Sequence, residues 1–238
     1  MRDTVLVTEF DWPMWRNHRG EEFTSSPSHQ IRAARLTAPY TDWPWQMAAH
    51  EDPFAMAAPD WTAYFSWESP REIVAGFHRA VGAMFAGHER IDHPGPGARP
   101  HGFESTVAPL LEAGWRHRAV GNTLGCTSPD GLVALALNLD ADDPGSPRLG
   151  WTIDVRDQIW RWGAAFGRWT PPALIRATVQ SVVDPAPVTR RRSELPDELG
   201  PAATLTPVPA THPQGVAIPR GAPVTEVAPS AQPGRRRR

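Results

Sequence analysis

The sequence predicts an α+β protein: two tandem pseudo-symmetric units, each an antiparallel β-meander packed by an amphipathic helix, followed by a disordered Pro-rich tail. Three observations carry this prediction. The chain matches itself at an offset of 101 residues, aromatic strands with period-2 alternation run into Ser-Pro and Thr-Pro helix starts, and the composition changes abruptly after residue 189.

The self-match aligns Trp61, Ala63, Phe65 and Pro70 with Trp162, Ala164, Phe166 and Pro171, and Ser69 falls on Thr170. Downstream, Ile73, Val74 and Val81 fall on Leu174, Ile175 and Val182, while upstream Ser26-Pro27 lies near Ser128-Pro129 and Trp45 corresponds to Trp151. Alternation of Trp61, Ala63 and Phe65, and of Trp160, Trp162 and Ala164, predicts one half-buried strand in each unit. Ser69-Pro70-Arg71-Glu72 predicts a capping box of Ser69 and Glu72 with Pro70 at the first helical position, and Thr170-Pro171 repeats the cap and the Pro. Ile73, Val74, Phe77, Val81, Met84 and Phe85 then form one apolar helix face, and Leu174, Ile175, Val179, Val182 and Val183 form another.

In the second unit, strands are expected at 115–120, 124–127, 132–139 and 151–155, after a short helix around 107–113. Ser128-Pro129-Asp130-Gly131 reads as a tight turn, with Pro setting φ and Gly tolerating positive φ. The first unit is expected to be a looser version of the same plan. Residues 1–91 form the first unit, 92–102 a Pro- and Gly-rich linker, 103–189 the second unit and 190–238 the tail.

The tail has no aromatic residue and is dominated by Pro, Ala, Thr, Val and Gly, a composition that buries too little apolar area to offset chain entropy. It carries eight Arg against four acidic residues, so the formal charge of -2 divides into about -6 for the body and +4 for the tail. The chain has no Lys, and its single Cys126 excludes an internal disulfide and any thiolate metal cluster. No apolar run approaches the roughly 20 residues of a membrane helix. The first residues lack a signal-peptide core, so a cytoplasmic location is expected.

None of the candidate chemical motifs has the spacing its chemistry needs. His88 and His93 are five residues apart, not the four that place two ligands on one helix face, and Pro94-Gly95 follows at once. The acidic run 140–145 has Pro144 at a calcium-ligand position and Trp151 where the bidentate Glu belongs. Cys126 reads as a buried structural thiol, and Ser128 lacks a nucleophile elbow. Without Lys there is no P-loop. A cleft holding two or more of His78, His117, Asp130 and Asp154 with perturbed pKa values would point to an enzyme.

The tandem pattern of a Ser-Pro-Asp turn, a Trp strand, Trp-x-Ala-x-Phe with a following Ser/Thr-Pro, and a helix ending near Asp184-Pro185-Ala186-Pro187-Val188 resembles the actinobacterial SPDY family, domain of unknown function 317. Such a resemblance implies a two-copy architecture over residues 20–90 and 105–190, with Ser26-Pro27-Ser28-His29 departing from the pattern in the first copy. It implies no activity.

The function expected is a non-enzymatic binding or interaction module without metal or cofactor, its partner a protein. Of the eleven Trp, Trp67 and Trp169 at the strand-helix junctions are the candidate partner contacts. The alternative is a nucleic-acid-binding protein using exposed Trp for stacking and Arg190, Arg191, Arg192, Arg235, Arg236, Arg237 and Arg238 for phosphate contacts.

Overall fold

Each half of the chain runs through a helix, five strands and a second helix. The first half contains α1 (Val5–Thr8), β1 (Met14–Arg16), β2 (Glu22–Ser25), β3 (Ile31–Arg35), β4 (Trp45–Ala49), β5 (Trp61–Phe65) and α2 (Arg71–Phe85). The second contains α3 (Phe103–Glu112), β6 (Arg116–Val120), β7 (Thr123–Thr127), β8 (Val133–Asn138), β9 (Leu149–Val155), β10 (Gly163–Gly167) and α4 (Pro172–Val183). The computed structural model describes residues 5–37, 41–52, 54, 58–86, 102–139, 149–155, 162–189 and 206. The expected tail from 190, apart from residue 206, most of the linker and Trp160 therefore lie outside the described residues.

The sequence reading has one sheet per unit; the structure has a single antiparallel sheet of ten strands in the order β1-β2-β3-β4-β5-β10-β9-β8-β7-β6. The last strand of each meander would otherwise leave a row of unpaired backbone groups, and β5 and β10 satisfy each other by pairing Phe65 with Ala164, Tyr64 with Ala165 and Ala63 with Phe166. The helices line up in the corresponding order, with α1 against α2, α2 against α4 and α4 against α3. No helix among the described residues is long and apolar enough to cross a membrane.

The alternation expected for Trp61, Ala63 and Phe65 is present, with all three buried and Thr62 and Tyr64 half-buried between them. Their buried side meets α2 and α4 in a cluster of rings: Phe77 lies 5.3 Å from Phe65, 5.7 Å from Phe166 and 6.5 Å from Trp61. Ile73, Val74, Phe77 and Val81 of α2 are buried, as are Leu174, Ile175 and Val179 of α4, so both predicted helix faces point into one core. The helices approach closely at Gly76, where a Cβ would lie 2.0 Å from Ser181 Oγ and 3.1 Å from Ser181 Cβ. Helix α3 begins earlier than the sequence predicts, because Gly102 adopts the left-handed conformation (φ 114°) and Ser105 Oγ donates to its carbonyl.

The capping boxes do not form. Pro70 and Pro171 themselves occupy the N-cap positions, in extended backbone and with no side-chain cap. Ser69 Oγ instead donates to Gly163 O at 3.0 Å, and Thr170 Oγ1 donates to Thr62 O at 3.0 Å. Each hydroxyl is buried where its own half meets the other half, and the strand carbonyl across the seam is the acceptor within reach.

Candidate binding face

Because strand side chains alternate, the helices cover one side of the sheet and leave the other to a different set of residues. Following the register outward from Tyr64, that second face carries Thr62, Gln46, Ala48, Arg32, Ala34, Phe23 and Trp15 in the first half. Most of these are half-buried or exposed, whereas their strand neighbours Ala33, Met47, Ala49, Trp61 and Ala63 are buried.

Cross-strand partners Trp15 and Phe23 stack, with centroids 5.7 Å apart and an interplanar angle of 15°. Trp15 is 51% exposed, the most exposed Trp among the described residues. Beside this stack the face sinks into a depression of about 220 Å³, reached by Arg32, Gln46, Thr62 and Tyr64. In the second half the same side of the sheet continues through Ala165, which is buried, and half-buried Thr152, Asp154, Ala134 and Ala136, and ends at edge strand β6 with Arg116, Arg118 and Val120, these three exposed.

The helix side carries its own polar cluster at the β1 end. Glu22 is buried and forms ion pairs with Arg16 and, at 3.4 Å, with Arg35. The Arg35 guanidinium lies 5.3 Å from the Trp45 ring, and Trp45 meets His78 edge-on at 6.2 Å. Burial among these rings lowers the His78 pKa to about 4, so the imidazole is neutral at ordinary pH. The space there is about 10 Å³, roughly that of one water, so this is a structural ion network rather than a cleft.

The residues named as an enzymatic possibility occupy separate places. His78 is inside, His117 on β6 stands against Phe103, Asp130 belongs to the β7–β8 turn and Asp154 lies on the open face. Ser128 Oγ donates to Asp130 Oδ1 at 2.5 Å and accepts from Val133 N at 2.9 Å, so Ser128 is a turn residue. Its hydroxyl, with Leu132 N–H, holds the Asp130 carboxyl below the usual range. Cys126 is buried, and desolvation, with the Glu104 carboxylate second, pushes its thiol up to about 11. No three His, Cys, Asp or Glu side chains converge as a metal site among the described residues. His88, His93 and the acidic run 140–145 lie outside them, as do Arg190, Arg191, Arg192 and Arg235 to Arg238.

Trp67 is 38% exposed, with its indole N–H donating to Thr41 O at 3.0 Å. Trp169 is half-buried against the core, and the Arg168 guanidinium lies 5.4 Å from its ring. Sequence reasoning passed over Trp15, Tyr64, Arg32, Arg116 and Arg118. The alternation that placed Trp61, Ala63 and Phe65 in the core already placed Tyr64 on the opposite face, but a face is recognisable only when all its strands are aligned.

Residues 127–188 match the SPDY family, a domain of unknown function (DUF317). The SPDY segment opens at Thr127, just before the Ser128-Pro129-Asp130 turn, and takes in β8, β9, β10 and α4. No curated protein and no solved structure matches the chain.

Proposed function

We propose that this protein is a non-enzymatic binding module, built from two copies of one unit, that holds its partner on the open face of the shared sheet. The observation that carries the reading is the asymmetry of the sheet: one side packs four helices, and the other presents a stacked Trp15–Phe23 pair beside a depression. Exposed aromatic groups in a depression lose little entropy when covered and remove much apolar area from water.

The two-copy part of the reading extends the SPDY segment to the first half. It is supported by equivalences at offset 101, under which Phe65–Ala164 and Ala63–Phe166 exchange and Tyr64–Ala165 maps onto itself. The Ser69–Gly163 and Thr170–Thr62 hydrogen bonds exchange in the same way. The turns also correspond: Ile31 N donates to Ser26 Oγ as Val133 N does to Ser128 Oγ, and His29 N to Ser26 O as Gly131 N does to Ser128 O.

Affinity purification from the native host, with the full chain and with its Trp15→Ala and Tyr64→Ala variants, tests the reading. A partner retained by the wild type and lost by both variants is expected. A partner held equally by all three would overturn it, as would a hydrolytic or transfer activity abolished by one point mutation.

A further inference from the structure

We propose that the open face binds single-stranded nucleic acid, with bases stacking at Trp15 and Tyr64 and phosphates meeting Arg32, Arg116 and Arg118. This rests on the reading of the open face as the binding surface and names its ligand. Three features select that ligand.

The depression of about 220 Å³ is smaller than the roughly 300–1,000 Å³ of drug-sized pockets and suits a single planar ring system. Trp15 and Tyr64 supply the π-faces, and stacking tolerates any base. Gln46 and Thr62 add amide and hydroxyl groups at the same place.

Charge is the second feature. Although the chain carries a net charge of -2, the described strand residues on this face include Arg32, Arg116 and Arg118 against Asp154 alone among acids. Such a face attracts a polyanion that the molecule as a whole does not.

The third feature is extent. From β3 to β6 the sheet order counts seven inter-strand steps, which at about 4.8 Å each is about 34 Å. One nucleotide cannot meet both Arg32 and Arg118, whereas an extended strand can. A duplex presents phosphates but keeps its bases stacked inside, away from Trp15. An acidic peptide would satisfy the arginines and leave the aromatic depression without planar rings to stack.

The full chain is titrated into a fluorescently labelled 15-nucleotide oligo(dT) and into a duplex of the same length, with anisotropy as the readout. Tighter binding of the single strand is expected, and Trp15→Ala should weaken it about tenfold. The double variant Arg116→Ala/Arg118→Ala, altered on an exposed edge strand and so able to fold, should flatten the dependence of log K on log salt by about 1.4. No binding, a duplex preference, or binding unchanged in both variants would overturn the proposal, the last because contacts elsewhere would then account for it. If oligo(dT) fails to bind while a protein partner is still lost on Trp15→Ala, the ligand assignment falls and the binding face stands. If neither depends on Trp15, both fall.

Discussion

Phe77→Ala tests whether the two halves are one cooperative structure. The Phe77 side chain is fully buried and makes ring contacts with Trp61 and Phe65 of one half and Phe166 of the other, at centroid distances between 5.3 and 6.5 Å. Removing a buried Phe ring costs about 3–5 kcal/mol through lost transfer energy and the cavity left behind. This site belongs at the upper end, because its neighbours are held by paired strands from both halves and cannot collapse into the space. For a protein of this size a loss of about 5 kcal/mol lowers Tm by about 10–20 °C. Urea unfolding followed by tryptophan fluorescence and by far-ultraviolet circular dichroism should give coincident curves for wild type and variant, displaced by that amount. Two separated transitions, with only one displaced, would refute the idea of a shared core. A loss below about 1 kcal/mol would refute the packing argument.

Four further outcomes follow from particular residues. The His78 pKa is lowered in the folded state, so the unfolded chain binds the extra proton first; stability is complete above about pH 6.5 and falls as pH drops toward 4. That loss amounts to about 3 kcal/mol, and His78→Leu should flatten the decline in denaturant midpoints over this interval. Cys126 should resist alkylation at pH 8 until the protein unfolds, because burial keeps it a thiol; prompt labelling of the native protein would contradict its position. Gly131 has φ 77° and open space around its Cα, so Gly131→Ala should cost about 1 kcal/mol through backbone strain alone, measured by urea unfolding. Gly76→Val should destabilise more than Gly76→Ala, because Ser181 Oγ can rotate away from one methyl but Ser181 Cβ cannot retreat from a branched side chain.

The parts of this molecule that were legible in advance are those in which a residue's neighbours in sequence decide its state. The apolar faces beginning at Ile73 and Leu174 have a helical period, and the alternation of Trp61, Ala63 and Phe65 has a strand period, so each declared its element. The Ser128-Pro129-Asp130-Gly131 turn was equally local, since its hydrogen bonds close within five residues. The Ser26-Pro27-Ser28-His29 turn was harder to recognise because His29, not Gly, takes the positive φ of 60°, its ring lying 3.3 Å from Ser25 Oγ.

What sequence periodicity could not supply was the acceptor for a hydroxyl or the occupant of a sheet edge. Ser69 and Thr170 have the composition of helix caps, yet each finds a carbonyl about a hundred residues away in sequence. The open face has the same origin: Trp15, Arg32, Tyr64 and Arg118 are unremarkable until four separate strands are laid in register.

Spacing along the chain was enough to establish the α+β class and the helix and strand periods. Tertiary structure alone decided that β5 and β10 close two meanders into one sheet, and that among the described residues the side opposite the helices gathers aromatic and basic groups. Pairing between distant strands is set by which edges can satisfy each other's backbone groups. No local pattern encodes that choice.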